Sequence, residues 1–211
     1  MPSTRRADAL RPRKQPLQAR SRDTVDVILK AAARLLAAKG YAATTTNHIA
    51  EHAGVSIGSL YEYFPNKDAL LVALMDDHLR EGETIMAQAA GAMMPYGDDV
   101  ESVVQGFVRA MVDFHARDGA LHRVLFEEAP LPPRIRRRLS DLEQRVTDWV
   151  EAWLRAHPGA TKRDPTLAAA VVVQTVEGLT HKLVVYGEPG DDMDVYLREM
   201  VTLVTAYLAA P

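Results

Sequence analysis

A chain of 211 residues, 47% of them hydrophobic, is long enough for one large or two small domains with a substantial core. It contains no cysteine, which excludes disulfides, thiolate metal sites and cysteine nucleophiles, and no run approaches the ~18 uninterrupted apolar residues of a membrane span. The net charge of −3 argues against a nucleic-acid partner until its distribution is read: residues 1–68 carry eleven basic and six acidic side chains, net +5, leaving −8 for residues 69–211.

The chain opens MPSTRRADALRPRK, basic and without the apolar stretch of a secretory signal, so a cytoplasmic protein is expected. Residues 1–20 hold three prolines after Met1 and read as an arm that stays unfolded without DNA. From about Asp23 to Lys39 a first helix is predicted, with Ile28, Ala31, Ala32, Leu35 and Leu36 on one face and Gly40 ending it. Residues 44–67, TTTNHIAEHAGVSIGSLYEYFPNK, then read as two short helices joined by a glycine turn. Ile49, Ala53, Val55, Leu60 and Tyr63 fall where crossed helices need apolar contacts, and Gly54 falls where the chain must take a positive φ. Thr45 (or Thr44) and Ser56 precede the two runs, where a hydroxyl accepts from an unpaired backbone N–H, and Pro65 ends the second. This is the helix-turn-helix plan, in which the second helix is offered to the DNA major groove. A longer helix over 67–90, with Leu71, Leu74, Met75, Leu79 and Met86, leads out of this head.

Beyond it the breaks at Pro95-Tyr96-Gly97, Arg117-Asp118-Gly119, APLPP at 129–133, His157-Pro158-Gly159 and Gly187-Glu188-Pro189-Gly190 delimit helices at 99–116, 120–128, 134–156, about 165–186 and about 192–209. With no sustained period-two alternation, the fold class is all-α with nine helices. The helix at 165–186 is apolar nearly all round, which demands cover on most sides; the last helix places Leu197, Met200, Val201, Val204 and Leu208 at helical spacing. Gln174, Glu177 and His181 form one polar stripe on that apolar helix, expected to be buried and partnered. Phe107, Met111 and Phe114, Phe126, and Trp149 with Trp153 make an aromatic and methionine set that reads either as core or as an apolar pocket. His115, His122, Glu127 and Glu128 lack metal-ligand spacing, so no metal is expected, and Arg134, Arg136, Arg137 and Arg138 read as a solvated face.

The run from Val27 to Leu74 resembles the DNA-binding domain of TetR-family transcriptional regulators. The resemblance rests on Gly40-Tyr41, Thr44-Thr45, Ile49-Ala50, Ala53-Gly54-Val55-Ser56, Gly58-Ser59-Leu60-Tyr61, Tyr63-Phe64 and Lys67, in order and spacing. It implies a basic arm at 1–20, a three-helix DNA-binding head at 21–68 and a helical effector-binding and dimerisation body at 69–211. It further implies a homodimer through residues 165–209, a palindromic operator, and repression lifted by a small hydrophobic effector, with no cofactor. By the same resemblance Ile57, Gly58 and Tyr61 face base edges, while Thr46, Ser59, Tyr63 and Lys67 contact phosphates, with Ser56 among the DNA-binding residues. Ile57 stands where many relatives carry a long polar residue. The effector would meet Phe107, Met111, Phe114, Phe126 and Trp149, with Gln174 or Glu177 as its polar anchor. The competing readings are an architectural DNA-binding protein without effector, and an enzyme using Glu177 and His181 as acid and base.

Overall fold

The structure, a computed structural model, describes residues 19–93, 99–187 and 192–211. The basic arm up to residue 18 and the breaks at Pro95-Tyr96-Gly97 and Glu188-Pro189-Gly190 lie outside these residues. Among the described residues there are nine helices and no strand: α1 (Ala19–Ala43), α2 (Thr46–Ala53), α3 (Ile57–Tyr63), α4 (Lys67–Met93), α5 (Val100–Ala116), α6 (Gly119–Arg123), α7 (Pro133–Ala156), α8 (Pro165–Tyr186) and α9 (Met193–Ala209). The chain leaves α6 through a π-helical turn, Val124–Glu128. Packing groups the residues into two units. One comprises the chain up to Leu79 together with Ala120–Arg136, and the other comprises Arg80–Gly119 and Arg137–Pro211.

In the first unit, the apolar face of α1 is buried through Ile28, Ala31, Ala32 and Leu36, with Ile49 of α2, Leu60 of α3 and Leu70, Leu71 and Met75 of α4 also in the core. Each fully buried Leu or Ile contributes about 1.5–3 kcal/mol relative to an exposed one. The turns follow the local signals. Thr45 caps α2 by accepting from the His48 N–H at 3.2 Å. Gly54 takes the left-handed conformation, φ +67°, and its N–H reaches the Ala50 and Glu51 carbonyls. Ser56 Oγ accepts from the Ser59 N–H at 3.0 Å to cap α3.

Gly40 breaks α1 in the predicted place, with φ +76° and ψ 173°, a region open essentially to glycine alone. The break frees the Tyr41 N–H, which donates to Glu128 Oε2 at 2.9 Å. Glu128 itself pairs with Arg123 at 3.5 Å. A β-carbon at Gly40 would lie 2.8 Å from Glu128 Oε2, so the same glycine permits both the kink and the approach of the carboxylate.

In the second unit α5 packs against α8 and α9. Val104, Phe107, Val108 and Met111 of α5 share one core with Val150, Trp153 and Leu154 of α7, Val172 and Val176 of α8, and Leu197, Val201 and Val204 of α9. Within one chain, however, α8 is covered on one side only: Leu167 (62% exposed), Leu179 and Tyr186 face outward, as do Val195, Tyr196 and Leu203 of α9. Gln174 is also exposed and Glu177 only half-buried, which corrects the expectation of a buried polar stripe. Gln174 thus faces outward, while Glu177 and His181 are half-buried along the edge of the helix.

Gly40→Ala is expected to destabilise the first unit by ~1–3 kcal/mol, from the strained φ/ψ alone, and Glu128→Ala to destabilise it less. Urea unfolding of the two variants against the parent chain checks the order.

Candidate DNA-binding surface and ligand cavity

The capping of α3 fixes which of its side chains look outward. Leu60 is fully buried, and Tyr63 (9% exposed) and Phe64 join it in the core. Ser56, Ile57, Gly58 and Tyr61 are exposed, with Ser59 and, at the start of α2, Thr46 half-exposed beside them. Tyr61 OH and Thr46 Oγ1 lie 3.0 Å apart, which joins the outer faces of α2 and α3. The Ser56 and Ser59 hydroxyls are 2.8 Å apart. Six of the eight residues assigned to DNA therefore share one surface: Thr46, Ser56, Ile57, Gly58, Ser59 and Tyr61. The other two are placed differently. The Tyr63 ring supports the head from inside. The Lys67 ammonium donates to the Tyr41 carbonyl at 2.6 Å and the Thr44 carbonyl at 2.9 Å, and sits 3.8 Å above the Tyr41 ring. Two of its three protons are thus spent on closing the end of α1, and burial lowers its pKa against the opposing pull of Asp68.

Tyr41 completes this knot, a role the sequence did not announce. Its hydroxyl donates to Asp68 Oδ1 at 2.7 Å. Burial, the hydrogen bond to Asp68 and repulsion between that carboxylate and a phenolate push Tyr41 up to about 12.

The aromatic and methionine set divides. Phe107 and Trp149 line a cavity of about 220 Å³ together with Met86, Ala90, Leu142 and Val146. Its wall includes the late turns of α4, a contribution missed at the sequence level, where the small-residue run Ala87, Ala89, Ala90 was the available signal. Met111 is core. The Phe114 ring lies over Gly82, where a β-carbon would be 2.8 Å from Cζ, and meets the His115 ring at 5.0 Å. Neither Met111 nor Phe114 is among the lining residues. Phe126 belongs to the first unit, packed on His122 and His78 with ring centroids 4.6 and 5.5 Å away. Gln174 and Glu177 do not line the cavity either. Burial raises the Glu177 pKa, with Glu143 adding to the rise and His181 opposing it. The charged lining residues are Glu83 and Arg145, whose Oε1 and Nη2 atoms pair at 2.7 Å.

A capped recognition helix on a three-helix head defines the class: a helix-turn-helix, DNA-binding transcriptional regulator. Residues 28–74 match the family described as "Bacterial regulatory proteins, tetR family", and residues 99–208 match "Tetracyclin repressor-like, C-terminal domain". The chain belongs to the TetR family. It is similar to the uncharacterized HTH-type transcriptional regulator YvkB of Bacillus subtilis, 44% identical over 70 residues, 33% of this chain and 37% of that protein. It is also similar to the nucleoid occlusion factor SlmA of Haemophilus influenzae, 27% identical over 146 residues, 66% of this chain and 65% of SlmA. The chain thus spans roughly a third to two thirds of these curated relatives. Among solved structures, the fatty acid degradation regulator FadR from Bacillus halodurans shares the fold, with a TM-score of 0.68 at 20% identity, covering 94% of this chain and 100% of that one.

Because the Tyr41 pKa is raised, the folded head keeps a proton between the ordinary 10.0 and about 12 that the unfolded chain gives up. Its contribution to stability is full below pH 10 and is lost as pH rises through about 12. An ultraviolet phenolate titration should show one late tyrosine, absent in Tyr41→Phe. A titration whose late component is missing in the parent chain, or is left unchanged by Tyr41→Phe, would contradict the assignment.

Proposed function

We propose that this chain is a homodimeric transcriptional repressor that holds an inverted-repeat operator and is released by a small, largely apolar effector. The observation that carries the reading is the outward face of α3, with Ile57 and Tyr61 each 39% exposed around the uncovered Gly58. Ile57 suits a thymine methyl, and Tyr61 suits base edges. Thr46, Ser56 and Ser59 are placed to meet phosphates, and the remaining proton of Lys67 is available to another. The head at 21–68 binds DNA, and the body at 69–211 carries the effector cavity and the dimer contact.

One seven-residue helix reads too few base pairs for useful specificity, and a two-fold partner doubles the site. The exposed apolar side chains of α8 and α9 supply the surface for that partner. Leu179, Leu183 and Tyr186 of α8 and Tyr196, Met200 and Leu203 of α9 line a continuous groove suited to a second copy of the same two helices. In this reading the effector enters between α4, α5 and α7, against Phe107 and Trp149, which line the cavity there. Since α4 begins in the head and its later turns wall the cavity, an effector that shifts α4 changes the presentation of α3. The regulator would work in the cytoplasm.

Gly58 has space for a side chain within its own fold, since an added β-carbon comes no closer than 3.7 Å to Ser56 Oγ. Gly58→Ala should therefore hold or raise the melting temperature, alanine being favoured over glycine by about 1 kcal/mol in a helix. Operator affinity should nevertheless fall by on the order of 1–3 kcal/mol, the scale of a lost base contact.

Selection from random duplexes should enrich an inverted repeat whose half-site centres lie ~10 base pairs, or a multiple of that, apart. Leu203→Asp combined with Leu179→Asp should yield monomers in sedimentation and lose the selected duplex. A parent chain that is monomeric at micromolar concentration, or a selection that enriches no repeat, would overturn the proposal.

A further inference from the structure

We infer that the effector carries a negative charge beside its apolar body, and that Arg145 is the residue that receives it. The inference rests on the effector-cavity reading above and specifies the chemistry of that same site.

The two charges in the cavity lining are served unequally. Glu83 Oε1 accepts from Arg145 Nη2 at 2.7 Å and also lies 3.5 Å from Arg138 Nη2. Arg138 does not line the cavity, so Glu83 has a second guanidinium outside it. A ligand anion that draws Arg145 toward itself therefore leaves Glu83 with a cation. A ligand cation approaching Glu83 has to compete with two guanidinia and sits against the Arg145 charge. The same repulsion opposes a cation stacked on Trp149, the other arrangement an aromatic wall offers. Guanidinium presents five donors in a planar fork that matches a carboxylate. The one hydrogen bond seen to Glu83 leaves Arg145 able to bind a second carboxylate without releasing the first.

The remaining lining is apolar, from Met86, Phe107, Leu142, Val146 and Trp149 to the alanines of α4. At about 30 Å³ per water-sized group, the 220 Å³ cavity accepts a tail of about seven heavy atoms. That size describes a medium-length aliphatic or single-ring carboxylate, with its acid group at the charged end of the lining. The Arg145 side chain is 54% exposed, so solvent screening holds the gain to about tenfold, the low end for a charge-assisted hydrogen bond.

The test titrates the 211-residue protein with octanoate, 1-octanol and octylammonium, reading Trp149 fluorescence against a Trp149→Phe control and the shift in melting temperature. Octanoate should bind about tenfold more tightly than octanol, and octylammonium most weakly. Arg145→Gln should bring octanoate to the level of octanol while leaving octanol unchanged, and Arg145→Lys should restore part of the difference. Glu83→Gln should leave octanoate binding unchanged or tighter, which keeps the test valid if Arg145→Gln folds poorly. Octanoate no tighter than octanol, octylammonium the tightest of the three, or octanoate weakened by Glu83→Gln would each overturn the charge assignment while leaving the cavity reading intact. If none of the three shifts either signal, the cavity reading itself fails, and the inference with it.

Discussion

The recognition helix has seven residues, and a helix of that length does not hold itself together in water. Its form is set by docking. Leu60, Tyr63 and Phe64 are pulled inward, and the Ser56 cap secures the first turn, so the opposite face has to be Ile57, Gly58 and Tyr61. The rest of the head serves this one requirement. Gly54 sets the angle between α2 and α3, and the Thr46–Tyr61 contact ties their outer faces. Lys67, Tyr41, Thr44 and Asp68 lock the end of α1 to the start of α4. A surface that reads DNA must be polar enough to meet phosphates and stiff enough to keep register. Here the polarity is outside and the stiffness comes from underneath.

The 120–136 segment extends that support. The π turn ends at Glu128, whose carboxylate reaches the Tyr41 N–H through the gap that Gly40 leaves. The body uses its residues differently. It completes one core around α5, and among the described residues it leaves an outward apolar face on α8 and α9 and a cavity beside Phe107 and Trp149. In the proposed function a partner copy covers the first, and a small molecule fills the second. The charge asymmetry read from the sequence lies in the arm that precedes the head, where Arg5, Arg6, Arg11, Arg13, Lys14 and Arg20 stand against Asp8 alone, while the head itself carries as many acidic as basic side chains.

The head was legible because every local rule there points the same way: Gly54 takes the positive φ expected of it, Gly40 breaks the first helix where expected, Thr45 and Ser56 cap as expected, and Ile49 and Leu60 are buried. What the sequence left undetermined was direction. Tyr63 and Lys67 are polar residues beside a DNA-binding surface, and only packing reveals that one supports from within while the other binds two carbonyls. Phe126 and Phe114 share a residue type with Phe107 but not a neighbourhood, and Phe114 is explained by Gly82, thirty-two residues earlier, through a contact that no periodicity encodes. Gln174 seemed buried because its helix is apolar, yet burial of α8 stops at the edge of one chain. The Arg145–Glu83 pair spans sixty-two residues, so its place in the cavity emerges only once α4 and α7 are side by side.

The proposed function makes the cavity and the DNA surface two sites of one switch, so the decisive measurement is their coupling. Ligand affinity is measured on the free protein and on the protein bound to its selected duplex, and duplex affinity with and without saturating ligand. Reciprocal linkage predicts the same factor from both directions, within about 5–150-fold for a coupling of ~1–3 kcal/mol. Ligand that binds free and DNA-bound protein equally well, with duplex affinity unchanged, would contradict the account.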